Sequence, residues 1–459
     1  MNQPATGIES RIRDMGFALS TIDAAPGSPE DAKSTCAIYH ELGAQWCVID
    51  GYQFSAHYQK QVHDSSASIL FIDDYGHCDH YVAEMVLNQN ICAHEGLYTD
   101  REIYVQLLLG TNYALIRTEF LKYQNFQRIH AKNAKKILVT FGGSDPENMT
   151  GSIVTMLKNV GITDLDIIVI AGVTNPNLSQ LHASIRDDDR IRIIQNVQDM
   201  SDRMVWADIA ICAGGSTVYE CAFMGLPAII YPIAENQKPI VDEMSRIGCA
   251  IDGRTINILD TDEGASALSG LLASCDTRVE ISLKMRALIN GKGALRVIDA
   301  LFCGVLHFRR VRESDCQLVF GWINDPFVRM QSFQQAPIPL EEHKEWFFSM
   351  LSNPNLVYYI AQDKNDNPIG QARFSIDGQD AGISILLDIK YRGRNLGVGL
   401  IKQATKTFFS ETSVTTVNAF VKYSNTVSYR AFIRAGFRDN GIVTVQGQKS
   451  YHLIQQRGI

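Results

Sequence analysis

Three glycine-bearing stretches hold most of the residues whose types and spacing suit chemistry. In ILVTFGGSDPENMT, Ile137 to Thr150, an apolar run ends on Gly142-Gly143-Ser144-Asp145 ahead of a helix-like segment. In AGGSTVYECAFMGLPAIIYP, Ala213 to Pro232, Gly214-Gly215-Ser216-Thr217 closes one apolar run and opens a helix. In LLDIKYRGRNLGVGLIK, a strand-like run leads through Arg392-Gly393-Arg394-Asn395-Leu396-Gly397-Val398-Gly399 into another helix. Paired glycines let backbone approach a ligand closely, and a helix N-terminus favours an anion. All three therefore read as places for a phosphate or pyrophosphate.

The first two belong together. Backbone amides with the Ser216 and Thr217 hydroxyls suit a diphosphate, and Glu220 follows within the first turn, where a carboxylate accepts from ribose hydroxyls. After the next strand come Glu235-Asn236-Gln237, again before a helix. A tight turn without a ligand explains any one of these sites equally well; all three at strand ends, in this order, fit ligand binding in an open α/β sheet. The spacing is not G-x-G-x-x-G, which disfavours a dinucleotide oxidoreductase.

The elements that must position them follow from apolar patterning. The runs QWCVIDG, SILFIDD, KILVTFGG, DIIVIAG, RIRIIQ, DIAICAGG and PAIIYP read as buried parallel strands, with helical periodicity between them. This predicts an α/β fold class with two Rossmann-like halves, 1–125 and 126–305. From about Phe308 the texture changes. The stretch YYIAQDKNDNPIGQARFSI reads as a hairpin turning at Asn365 to Pro368, which predicts a separate α+β domain over 306–459.

Bulk properties narrow the classes. The chain has 459 residues, too many for one ordinary core. A net charge of −8 without a basic block excludes a typical nucleic-acid binder. No apolar run approaches the roughly 20 residues that span a bilayer, so no membrane partner is expected. Ten cysteines are scattered singly, without a CxxC pair. The expectation is a cytoplasmic protein with buried thiols and no metal site.

Residues 7–303 resemble the UDP-sugar hydrolase family of pseudaminic acid biosynthesis, whose members have a GT-B fold. The resemblance rests on VIDGYQF, FIDD, LNQN, ALIRTEF, TFGGSD and AGGSTVYE with its following GLP and NQ. It implies that the first half holds the sugar and the second holds UDP, through Gly142, Gly143, Ser144, Gly215, Ser216, Thr217, Glu220, Asn236 and Gln237. The reaction implied is release of UDP from UDP-2,4-diacetamido-2,4,6-trideoxy-β-L-altropyranose. Asp50 and Tyr52 fall on the family's active-site strand end, Tyr52 as a sugar or water contact or else simply an amphipathic cleft residue. The family opens with a strand and a G-x-G-H-x-x-R loop whose histidine activates water. Nothing in this sequence matches that loop, so the first half is expected to be truncated and hydrolysis slow. His77 and His80, after Asp73-Asp74, are the candidate replacements, against ordinary loop histidines.

The last domain resembles the GNAT acetyltransferases. Arg394-x-x-Gly397-x-Gly399 fits their R/Q-x-x-G-x-G/A pattern, and NTVSYRAFIRAGF ends as many of them do. The resemblance implies acetyl-CoA as co-substrate, its pyrophosphate held by amides from Asn395 through Leu396, Gly397 and Val398 to Gly399, with Arg392 and Arg394 beside it. It implies an amide near Leu387-Asp388 polarising the thioester carbonyl, and Asn425 at the cofactor arm. The position of the usual tyrosine acid is Phe432. Tyr429, three residues earlier, is the candidate for that role, with a water or no specific acid as equal alternatives. His343 and Trp346 are candidates for the acceptor pocket, His343 more simply as a structural residue. The combined expectation is a bifunctional enzyme acting on a UDP-linked amino sugar. Its alternatives are a non-catalytic UDP-sugar module serving the acetyltransferase, and a GT-B glycosyltransferase.

Overall fold

The computed structural model describes residues 8–143, 145–159, 161–172, 175–195, 197, 199–256, 261–304, 306–363, 366–392 and 396–457. Of the residues named above, Ser144, Gly393, Arg394, Asn395 and Asn365 lie outside them. The chain divides into two compact units, Met1–Val297 and Ile298–Ile459, the division falling inside the helix Gly293–Gly304.

Unit one holds two parallel sheets. The first has β1 (Cys47–Asp50), β2 (Ile69–Ile72), β3 (Met85–Asn88) and β4 (Gln106–Leu109) in simple sequence order. The second joins β5 (Lys136–Thr140), β6 (Asp166–Ile170), β7 (Ile191–Ile194), β8 (Ile209–Ala213), β9 (Ala228–Tyr231) and β10 (Ile251–Asp252) in the order β10-β9-β8-β5-β6-β7. Strand order reverses between β5 and β8, the switch point where such sheets take ligands at the strands' carboxyl ends. Both the Gly142 and the Gly214 turns leave from that point. The core strands are apolar on both faces, as burial between helices requires, and β8 and β9 are buried throughout.

Unit two is a seven-stranded mixed sheet of order β11-β12-β13-β14-β15-β17-β16. Its strands are β11 (His307–Arg310), β12 (Leu356–Gln362), β13 (Pro368–Asp377), β14 (Asp380–Leu387), β15 (Thr416–Lys422), β16 (Arg438–Val445) and β17 (Gln448–Gln456). One face packs on the helix Leu396–Glu411, where Phe374 and Phe408 stack with ring centroids 4.1 Å apart. The other is covered by the helices Cys316–Ile323 and Leu340–Leu351, with Trp322, Phe347, Tyr358 and Leu386 in one cluster. The whole is a mixed α/β protein of GT-B-like Rossmann halves and a GNAT-like domain. No described helix is long and apolar enough to cross a membrane.

Candidate functional site

The two anion-favouring helix starts of unit one differ. The helix Met149–Asn159 is capped by the chain itself: Asp145, in a left-handed turn at φ +42°, accepts from the amides of Met149 and Thr150 at 2.9 Å each. Its positive end therefore already holds a carboxylate. The expectation that a phosphate sits at this helix end is corrected to that extent. The turn ahead of it stays open, since a side chain built on Gly142 would meet nothing within 4 Å. Gly143 packs instead against Gly172, where a Cβ would lie 1.9 Å from the Gly143 carbonyl oxygen.

The helix Thr217–Met224 is not capped this way. Ser216 occupies its N-cap, is exposed, and makes no side-chain cap bond. The amides of Val218 and Tyr219 turn back onto the carbonyls of Gly215 and Ser216, while those of Gly215, Ser216 and Thr217 have no hydrogen-bond partner among the described residues. Small residues keep the approach clear. A Cβ on Gly214 would strike Val241, and one on Gly215 would come within 3.6 Å of Gln237. Gln237 is itself positioned by accepting from the Ile233 amide at 3.1 Å.

Glu220 is buried and gripped from the segment after β4. Arg117 donates through Nε and Nη2 to its two oxygens at 2.6 and 2.8 Å. Burial pushes the Glu220 carboxyl up, against the pull of Arg117. With both contacts this short the pair is ionic. Beside it the Tyr219 hydroxyl accepts from the Ile91 amide and donates to Asn90 Oδ1. The loop after β3 and the helix after β8 are thus joined through neighbouring residues.

Across the cleft, Tyr52 donates to Asp74 and accepts from Asn236 Nδ2 at 3.1 Å. One bond joins the turn after β1 to the Glu235-Asn236-Gln237 turn. Burial and then Asp74 push the Tyr52 hydroxyl up, so it stays protonated at neutral pH. Asp50 is exposed, and its carboxyl is raised by partial burial and by Asp74. His77 lies edge-on to Tyr52 at 5.5 Å, with Nδ1 3.4 Å from Asp73 Oδ2. Neither of its ring nitrogens is solvent-accessible or hydrogen-bonded. His80 is elsewhere, paired with Asp100 and Glu102, which raise it.

In unit two, β14 and β15 pair only from Asp380–Gly382 to Thr416–Asn418 and then part. The Asp388 amide donates to Ile369 O at 2.9 Å, so it is not free to polarise a carbonyl. The same bond makes Leu387 and Gly370 a non-hydrogen-bonded pair of the antiparallel ladder. Leu387 N–H therefore points away from β13, into the opening toward β15. Its carbonyl accepts from Arg392 Nε at 2.9 Å, and Arg392 Nη1 binds Asp325 at 2.8 Å. Arg392 thus fixes the strand end rather than standing free for a phosphate.

Leu396, Val398 and Gly399, at the start of the helix Leu396–Glu411, are buried, and Gly397 between them is half-buried. Gly397 approaches Leu387 closely enough that a Cβ would touch its Cδ1 at 3.8 Å. Asn425 caps the helix Thr426–Arg434 by accepting from the Ser428 amide. Tyr429 donates to Asp439 of β16 and packs on Tyr451, two strands away from β14. Its hydroxyl is aimed away from the opening, which argues for water as the proton source. His343 is fully buried, with Nε2 on Cys316 O at 3.0 Å, so it lines no pocket. Trp346 stacks on Arg373 at 5.2 Å. Arg117 and Arg373 went unnoticed in the sequence; nothing local distinguishes them from surface arginines.

Among families, residues 306–438 match the "Acetyltransferase (GNAT) domain" and residues 137–257 the "Glycosyltransferase family 28 C-terminal domain". The uncharacterized protein MJ1062 of Methanocaldococcus jannaschii is 24% identical over 74% of this chain and 70% of its own length. The spore coat polysaccharide biosynthesis protein SpsG of Bacillus subtilis is 26% identical over 45% of this chain and 62% of its own. The "pseudaminic acid cytidylyltransferase and UDP-2,4-diacetamido-2,4,6-trideoxy-beta-L-altropyranose hydrolase" of Helicobacter pylori is 25% identical over 45% and 37%. The chain thus spans less than two thirds of two of these relatives. It carries a GNAT acetyltransferase domain and a glycosyltransferase-like, sugar-nucleotide-related domain.

Proposed function

We propose that the chain is a bifunctional sugar-nucleotide enzyme of the pseudaminic or nonulosonic acid type. Unit one takes a UDP-sugar, and unit two N-acetylates a UDP-linked 4-amino sugar with acetyl-CoA. The observation that carries the first assignment is the uncapped start of the helix Thr217–Met224 at the strand-order switch. The amides from Gly215 to Thr217 take the diphosphate. Gly142 and Gly143 border it, Glu220 offers its remaining lone pairs to the ribose, and Asn236 and Gln237 close the nucleotide side. Tyr52 and Asp50 face the sugar.

Acetyl transfer follows from the opening between β14 and β15. The acetyl-CoA pyrophosphate rests on the amides at the start of the helix Leu396–Glu411, and its thioester carbonyl accepts from Leu387 N–H. The acceptor amine attacks that carbonyl, the C–N bond forms, and the developing oxyanion is held by the same amide. The C–S bond breaks, and the thiolate takes a proton through water. The amine's surplus proton leaves to solvent.

A second reading of unit one is binding without hydrolysis. It is favoured by His77, whose two ring nitrogens are shut from solvent beside Tyr52. Incubating the full chain with the UDP-linked diacetamido sugar and following free UDP separates the two. Turnover at about 1 per second or faster supports the hydrolase. Saturable binding with no UDP release supports the binding module. Failure to bind contradicts both.

A further inference from the structure

Among the described residues of unit two, Arg373 on β13 is a half-buried cation with neither a carboxylate nor a hydrogen-bond partner. Arg309 holds Asp315, Arg310 holds Glu411, Arg392 holds Asp325 and Arg434 holds Asp299. Arg329 and Arg457 are spent on backbone carbonyls and a serine. Arg373, in the middle of β13, makes no hydrogen bond and no ion pair with any described residue, yet burial depresses its guanidinium. Arg373 is only partly buried, and desolvating a cation that has no partner is unfavourable. A chain that holds one there is prepared for an anion from outside.

The surroundings say where that anion sits. Arg373 stands opposite Tyr358 on β12 and Ser384 on β14, so all three share one face of the sheet. Tyr358 is buried and donates to Gln371 on that face. Ser384 is exposed, and Phe420, on the corresponding face of β15, is 43% exposed. The face is therefore closed by helices on the Tyr358 side and open on the Ser384 side. Arg373 stands between the two, two residues short of Leu386 and one strand from the β14–β15 opening. In the acetyl-transfer reading above, the acceptor amine reaches the thioester beside Leu387 from this open side of the face. Trp346 covers one flat face of the guanidinium at 5.2 Å. Stacking leaves the edge N–H groups, the ones that bind phosphate in pairs, unblocked.

We infer that Arg373, held by Trp346, binds the diphosphate of a nucleotide-linked amino sugar and so selects an anionic acceptor for acetylation. The inference rests on the acetyl-transfer reading above and names the group that recognises its substrate. A polycationic amine meets repulsion at the same point. The diphosphate, set between nucleoside and sugar, leaves the amino group of the sugar free to extend toward Leu387.

The test is acceptor kinetics of the full chain with Arg373→Gln and Arg373→Lys. Two acceptors are compared, the UDP-linked 4-amino-4,6-dideoxy sugar and the same amino sugar without UDP. Arg373→Gln is expected to raise KM for the nucleotide-linked amine at least tenfold, with KM for acetyl-CoA and the rate on the free sugar unchanged. Arg373→Lys is expected to recover part of the loss. An equal effect on both acceptors, or none on either, overturns the assignment while leaving acetyl transfer standing. Selective loss with a carboxylate-bearing amine in place of the nucleotide overturns the diphosphate. A wild-type chain that ignores the UDP-linked amine overturns the acetyl-transfer reading itself, and this is read before any variant is made.

Discussion

Arg117 holds both carboxylate oxygens of Glu220, through Nε at 2.6 Å and Nη2 at 2.8 Å, and so ties the loop after β4 to the helix after β8. Ile116 and Phe120, which flank Arg117, lie in the same core cluster as the helix after β8, so the contact fastens this segment onto the second sheet's layer, next to the uncapped helix start. Removing one member of a buried pair strands the other. Arg117→Met is therefore expected to destabilise unit one by about 3 kcal/mol, the low end for such pairs, because the Arg117 side chain is itself 36% exposed. Urea unfolding followed by tryptophan fluorescence measures it. A change under about 0.5 kcal/mol contradicts the pair's role.

The contrast between the two helix starts gives a second expectation. Ser216→Ala with Thr217→Ala removes two hydroxyl donors from the uncapped end and is expected to weaken UDP binding about tenfold, or roughly 1.4 kcal/mol. Asp145→Ala removes a cap and is expected to cost about 1 kcal/mol of stability with little change in UDP affinity. Calorimetric titration with UDP reads both. A larger affinity loss in Asp145→Ala than in the double variant places the diphosphate at the wrong helix.

These two turns also show what was legible in the sequence. Both strand-glycine-helix patterns are visible as text, and apolar runs locate β1, β2 and β5 to β9. What decides between them is whether the helix end is already filled, and Asp145 fills one only because it adopts a left-handed turn that returns its carboxylate to Met149 and Thr150. β3 and β4 carry mixed runs such as MVLN and QLLL, too short for periodicity to identify. Arg117 and Glu220 are 103 positions apart. Arg373 acquires meaning only from the carboxylates that are not beside it. Tyr429 lies close to one helical turn from the usual acid position, but its direction toward Asp439 is set by β16.

Leu387 provides a test by deletion of a backbone donor. Its N–H is outside the β13–β14 ladder, so proline there removes no ladder bond. Leu387→Pro is expected to lower kcat of acetyl transfer about 10²–10³-fold, the usual loss for one oxyanion donor, with KM for acetyl-CoA little altered. Leu387→Ala, which keeps the amide, is the control. Equal activity of the two variants assigns the carbonyl contact elsewhere.

His343 makes the stability of unit two depend on pH. Burial lowers its imidazole below the ordinary value near 6.5, and the unfolded chain has no such penalty. Below about pH 6.5 the unfolded state binds the proton and the folded state does not. Stability is therefore full above that point and falls as pH drops, by at most about 1.4 kcal/mol per pH unit, until the buried ring itself protonates. His343→Gln is expected to flatten this slope between pH 6.5 and 5. Denaturation midpoints across that window show it; a slope unchanged by the substitution assigns the loss to other groups.

The claim that one chain serves one class of sugar nucleotide at both of its sites is tested most directly by a single reaction. The full chain is mixed with acetyl-CoA and the UDP-linked 4-amino-4,6-dideoxy sugar, and mass spectrometry follows the nucleotide. The expected result is a gain of one acetyl group on the intact UDP-sugar, dependent on Leu387 N–H and Arg373. An unmodified UDP-sugar in the presence of acetyl-CoA and folded protein would contradict the account.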